Sequence, residues 1–206
     1  MHYYNTQIKI GSIITSKTEI RDLVKAWLAI SLAFALILSN SILSPDFYFK
    51  FILSALTVGT GFLLHELGHK IVAQRYGCFA EFRSFDSMLA FAIIMALFTP
   101  FVFAAPGAVM IAGKVNKRKN GIISAAGPLV NLALALIFLG LLFLELPGLF
   151  KAIASYGFMI NSWLALFNML PFWQFDGYKI WKWNKLAYAA VAGTAFIFMF
   201  GHNFTR

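Results

Sequence analysis

The sequence predicts an all-α polytopic membrane protein with five to six transmembrane helices, a membrane-embedded re-entrant or hairpin segment and little β-structure. Three observations carry this. The 206 residues are 60% hydrophobic, with 23 Phe and a mean hydropathy of +0.76, against an apolar share of about 45–50% in soluble domains. Apolar runs of membrane-crossing length recur along the chain. The net charge is +9, yet the Lys and Arg residues fall between those runs instead of forming the single stripe that nucleic acid requires. Basic loops between apolar spans are the pattern of a membrane protein with a positive cytoplasmic face.

The elements follow in order. Gln7 to Ile14 reads as a short strand. Ser16-x-x-Glu19 reads as a capping box opening a helix that turns apolar from about Ala26 to Leu43, the first span. Ser44-Pro45-Asp46 breaks it. The second span runs from Phe47 to about Tyr76 and is ended by Gly77 in a C-cap position. Next comes an apolar stretch from Met88 to Ala105, broken by Pro100 and followed by Pro106, Gly107 to Ile111 and the basic loop Lys114, Lys117, Arg118 and Lys119. If that stretch crosses, the basic loop lands opposite Arg75 and Arg83. If it enters and returns, nearly all basic residues share one face, with Lys50, Lys151 and Arg206 opposite. The positive-inside rule favours the return and a cytoplasmic N-terminus, and irregular backbone at that depth requires burial in protein or a wet cavity. The remaining spans are Ile122 to Leu144, Ala152 to Leu170 and Leu186 to Phe200.

Short loops leave one integral-membrane domain over 1–206, with its core at about 47–183. The single cysteine, Cys78, excludes an internal disulfide and Cys-rich metal or iron–sulfur sites. The first 25 residues lack a short apolar core before a small-residue cleavage site, so the first membrane helix is expected to do the targeting.

Inside the second span stands His65-Glu66-Leu67-Gly68-His69, an H-E-x-x-H motif. One helical turn apart, His65 and His69 share a face and can reach one ion, while Glu66 projects about 100° round and can reach a water on it. Zinc fits two imidazoles and an oxygen ligand with a fourth position open. The bland reading, a solvated helix face, has no solvent to rely on: an unpaired carboxylate near a bilayer centre costs about 2.5–3.5 kcal/mol.

Two further polar clusters interrupt apolar helices: Ala126-Gly127-Pro128-Leu129-Val130-Asn131, and Asn168-Met169-Leu170-Pro171 leading to Asp176-Gly177. Asparagines in membrane helices often serve only to join helix to helix. Asp176 is a candidate third ligand, a carboxylate on a broken helix, with a helix cap or a partner for Lys179 as the alternative. In this order, HELGH, A-G-P-x-x-N and N-x-x-P-x-x-x-x-D-G resemble the site-2 protease family of intramembrane zinc metalloproteases, over roughly Gly59 to Trp183, and the chain's compactness resembles prokaryotic, especially archaeal, members.

The resemblance implies one Zn²⁺ per chain bound by His65, His69 and Asp176, with Glu66 as general base and acid. It implies that Asn131 orients the scissile carbonyl or stabilises its oxyanion, and that Asn168 shapes the aspartate loop at the substrate-binding site. Gly107 to Ile111 occupies the place of the family's re-entrant hairpin, where an edge strand can hold an unwound substrate. The expected partners are a transmembrane protein substrate and membrane lipid, with no nucleic acid, and the expected location is the plasma membrane of a prokaryote. The rivals are weaker. A di-iron oxidase needs more than the four histidines present, a non-catalytic relative has no use for Glu66, and one buried site offers a transported metal no path.

Overall fold

The computed structural model describes residues 7–39, 41–100, 102, 106–144 and 146–201; His2, His202 and Arg206 lie outside them. The chain is mostly helical and forms two compact units, Met1–Ala55 with Lys70–Lys114, and Leu56–His69 with Val115–Arg206. Four helical stretches among the described residues are long and apolar enough to cross a membrane: Lys17–Ser39, Phe47–Arg75, Lys117–Leu142 and Gly148–Asn168. Two apolar helices are shorter, Asp86–Phe98 and Lys185–Phe200.

In the first unit, strands β1 (Gln7–Ile10) and β2 (Ile13–Ser16) pair antiparallel around Gly11, whose φ of +59° suits the tight turn. The sequence suggested one strand here; the chain folds back to make two. Helix α1 (Lys17–Ser39) starts as the capping box predicts, with Ser16 Oγ accepting the Glu19 N–H at 3.1 Å. The carboxylate of Glu19 is fully buried and serves one near and two distant partners. It accepts from Thr15 Oγ1 at 2.6 Å, from the Phe82 N–H at 2.9 Å and from the buried ammonium of Lys70. A buried charge survives only when paired and hydrogen-bonded, and this one binds together the start of α1, the residue after His69 and strand β3 (Phe79–Ser84).

The second span comprises α2 (Phe47–Ser54), a π-helical turn at Ala55–Gly59, and α3 (Thr60–Arg75). The Trp27 indole donates to the Ala55 carbonyl at 3.0 Å, where the wider turn begins. π-Turns inside α-helices occur frequently at functional sites. At its far end α3 closes as expected at Gly77 (φ +74°), with Gly77 N–H to Gln74 O and Cys78 N–H to Ala73 O at 2.9 and 3.1 Å, the paired bonds of a Schellman cap. Near the other end, Lys50 bonds Asp46 and the Leu38 carbonyl, and with Ser44 it holds the Asp46 carboxyl below the usual carboxylate range.

Strand β3 pairs antiparallel with β4 (Gly107–Ala112), Phe79 opposite Ala112 and Ser84 opposite Gly107. Between them lies α4 (Asp86–Phe98). Thirteen residues span about 20 Å, short of the roughly 30 Å of a hydrocarbon core, and the segment leaves and returns at one strand pair. Ser84 and Gly107, which flank 85–106, are thus neighbours, in agreement with the returning alternative that the charge distribution favoured. A side chain at Gly107 would collide with the Phe82 ring, so this register needs glycine there. Ala33, Ala35, Leu36, Phe47 and Ala96 form the apolar core of this unit.

The second unit contains α5 (Lys117–Leu142), α6 (Gly148–Asn168), α7 (Asp176–Trp183) and α8 (Lys185–Phe200), with the first part of α3. Asn116 caps α5 and Asn184 caps α8 through their side-chain oxygens. Small residues let these helices close together. A Cβ at Gly68 would press on Val130 and the Ala126 carbonyl, one at Gly121 on the Trp183 ring, and one at Gly157 on the Phe138 ring.

Candidate metal centre

His65 and His69 lie one turn apart on α3, and both are buried. Their Nε2 atoms are 3.1 Å apart, and Asp176 Oδ2 is 3.4 Å from the first and 3.0 Å from the second. Among the described residues this is the one group of three or more His, Cys, Asp or Glu side chains placed to hold an ion.

The other ring nitrogens decide what those three atoms are. His65 Nδ1 lies 2.6 Å from Asn131 Oδ1, and His69 Nδ1 lies 2.8 Å from the Ile123 carbonyl. Carbonyl oxygens only accept, so both Nδ1 atoms carry protons, and Nε2 is the nitrogen of each ring that faces Asp176. Two imidazole nitrogens and a carboxylate oxygen thus converge in a buried space, close enough to share one ion. This donor set, two imidazoles oriented from behind and one carboxylate, fits zinc with a position left open. Gly127 on α5 leaves the room: a Cβ there would overlap both imidazole rings.

Asp176 reaches the cluster because the chain breaks after α6. Met169 to Phe175 form an irregular connection containing Pro171 and Trp173, the latter at φ +52°, a left-handed conformation that bulky residues avoid and that stores strain. Gly177 then packs against the backbone of Met169, where a Cβ would collide, setting Asp176 at the first residue of α7. Its Oδ1 also faces Lys179 Nζ at 3.4 Å. The two readings of Asp176 open in the sequence are thus compatible, one per carboxylate oxygen. Glu66 follows His65 on the same helix and is buried with it.

The sequence comparisons agree with this geometry. The family model for Peptidase family M50 matches residues 53–155. A protein of Methanocaldococcus jannaschii, named "Putative zinc metalloprotease", is 42% identical over 179 residues, covering 85% of this chain and 90% of its own length. The chain belongs to Peptidase family M50. A Mycobacterium tuberculosis relative named "Putative zinc metalloprotease Rip2" is 30% identical over 131 residues, 56% of this chain and 50% of that protein. No solved structure matches significantly. The resemblance to site-2 proteases read from three motifs is therefore the chain's family, and the M50 chain is an enzyme of the zinc metalloprotease class built as a mostly helical membrane protein.

Within this M50 chain the expected residues separate into those the fold gathers and those it does not. His65, His69 and Asp176 meet. Asn131 lies beside them. It is fully buried, its Oδ1 faces His65, and its Nδ2 donates to the Gly61 carbonyl at 3.2 Å and to Asn161 Oδ1 at 3.0 Å. Its oxygen and both amide hydrogens are thus engaged within the protein. Asn168 stays outside the cluster, its amide donating to Leu164 O at 2.9 Å within α6. Its bond finishes the helix from which the aspartate connection departs. The sequence reading passed over Asn161, although an asparagine between Ile160 and Ser162 in an apolar helix was a signal of the same kind as Asn131.

Proposed function

We propose that this chain is an intramembrane zinc metalloendopeptidase that hydrolyses peptide bonds within transmembrane segments of membrane proteins, with one Zn²⁺ held by His65, His69 and Asp176. The observation that carries the reading is the convergence of Asp176 Oδ2 with two Nε2 atoms from a helical stretch apolar enough to cross a bilayer. When bound, zinc supplies a Lewis acid that polarises the scissile carbonyl and makes water nucleophilic at neutral pH. Glu66 takes a proton from the attacking water as the new C–O bond forms, and returns it to the amide nitrogen as the C–N bond breaks. Asn131 and the Ile123 carbonyl keep the two imidazoles in the tautomer that turns Nε2 inward. The substrate helix must unwind first, because its carbonyls are otherwise shielded by helical hydrogen bonding.

Membrane lipid is the solvent of the enzyme, and nucleic acid has no part in this reading. The distribution of Lys and Arg supports a cytoplasmic N-terminus, and the likeness to a protein of Methanocaldococcus jannaschii supports the plasma membrane of a prokaryote. The test is Glu66→Gln. This variant is expected to keep zinc and the fold and to lose nearly all cleavage of a single-span substrate in detergent. Membranes of a Glu66→Gln strain should accumulate that substrate uncut. Substantial turnover by the variant would assign the proton transfer to another group.

A further inference from the structure

We propose that Asn161 is a positioning residue of the metal centre, fixing the orientation of the Asn131 amide and through it the tautomer of His65. The inference rests on the reading that His65 Nε2 is a zinc ligand. Asn131 faces a choice common to all primary amides: its oxygen and nitrogen are nearly the same size, and only its partners decide which points where. The side toward His65 must be oxygen if Nδ1 is to keep its proton. Were the amide turned over, Nδ2 would donate to Nδ1, the proton would move to Nε2, and the ring could no longer offer a lone pair to an ion.

Two acceptors prevent that reversal, the Gly61 carbonyl on α3 and Asn161 Oδ1 on α6. Asn161 is itself fixed. Its Nδ2 donates to Gly157 O at 2.9 Å, one turn back on its own helix, so its oxygen is the atom left facing Asn131, and its side chain is fully buried. Gly61 provides independent support for the arrangement. A Cβ there would stand 2.5 Å from Asn161 Oδ1, so the glycine both supplies a carbonyl and clears the space the second amide fills. The relay runs from Gly157 O through Asn161 and Asn131 to His65, across three helices. Loss of an outer partner of this kind typically weakens metal binding about 10- to 100-fold.

The experiment compares full-length protein with Asn161→Leu, which keeps volume and removes both hydrogen bonds, and with Asn161→Asp, which keeps an oxygen toward Asn131. Asn161→Ser, whose hydroxyl can bond Gly157 O but cannot reach Asn131, replaces the Leu variant should that fail to fold. Two quantities are read: the tautomer of His65 in metal-free protein, from its ring ¹⁵N shifts, and the zinc dissociation constant, from chelator competition. Asn161→Leu is expected to move His65 from the Nδ1–H toward the Nε2–H tautomer and to weaken zinc about 10- to 100-fold, while Asn161→Asp stays close to the parent in both. In an Asn131→Asp background, whose carboxylate has no amide to turn over, Asn161→Leu should cost less than about threefold. An unchanged tautomer in Asn161→Leu, or an undiminished loss in the Asn131→Asp background, overturns the proposal and makes Asn161 a packing residue. Failure of the zinc reading looks different: His65→Ala would then bind zinc as tightly as the parent, whatever the tautomer does.

Discussion

Replacing Gly127 with alanine adds one methyl group to the wall of the metal centre. Its Cβ would lie 2.5 Å from His65 Nε2, about 0.9 Å short of the 3.4 Å at which ordinary contact begins, and it would overlap His69 Nε2 as well. Either α5 retreats by about that distance or the imidazoles rotate. Retreat carries Asn131 and Ile123, on the same helix, away from both rings. Rotation breaks the Nδ1 bonds of 2.6 and 2.8 Å directly. A misplacement of about 1 Å in such a centre costs on the order of 10²-fold in rate, and loosened ligand orientation about 10- to 100-fold in metal affinity. Elemental analysis of purified protein and a gel assay with a single-span substrate measure the two. Gly140, on the same helix, has no atom within 4 Å of its added Cβ, so Gly140→Ala is the control and should be neutral or slightly stabilising. Full zinc content and parental turnover in Gly127→Ala would refute the placement of the inward-facing Nε2 atoms against α5.

Zinc content should be stoichiometric in the parent and fall sharply in His65→Ala and Asp176→Ala; full retention in Asp176→Ala removes that carboxylate from the ligand set. Glu19→Ala strands the buried ammonium of Lys70 and should cost about 3–5 kcal/mol, a fall in Tm on the order of 10 °C, whereas the double replacement Glu19→Met with Lys70→Met should cost much less. A thermal scan in detergent decides, and an unchanged Tm in Glu19→Ala would make the pair incidental. Single cysteines at positions 84, 118 and 184 in a Cys78→Ala background should be labelled from one common side, because 85–106 returns to the strand pair it left; labelling of 84 and 118 from opposite sides contradicts that return.

The parts of this protein legible from sequence are those written in local spacing. H-E-x-x-H puts two ligands on one face by helical period alone, Gly77 marks a helix end by its backbone freedom, and a carboxylate after Pro171 announces a broken helix. Charge placement along the chain also favoured the returning segment. What stayed hidden depends on partners far along the chain. Glu19 reads locally as part of a capping box, while two further partners, Lys70 and Phe82, lie 51 and 63 residues away. The π-turn at Ala55–Gly59 coincides with an indole donor from Trp27, which no local pattern announces. Asn131 has the composition of a substrate contact, and only its two acceptors reveal that its hydrogens are already committed.

The pairing of Ser84 with Gly107 has a consequence for how such chains can vary. Because the ends of the 85–106 excursion are clamped to each other, its length is uncoupled from the register of both strands. The entropy of closing a loop grows only logarithmically, by about 0.6 kcal/mol for each doubling, so the excursion can grow or shrink at little thermodynamic cost. Selection can therefore remodel this apolar insert, whose large apolar side chains Met88, Phe91, Ile94, Leu97 and Phe98 are exposed, without rewriting the strand pair that holds it.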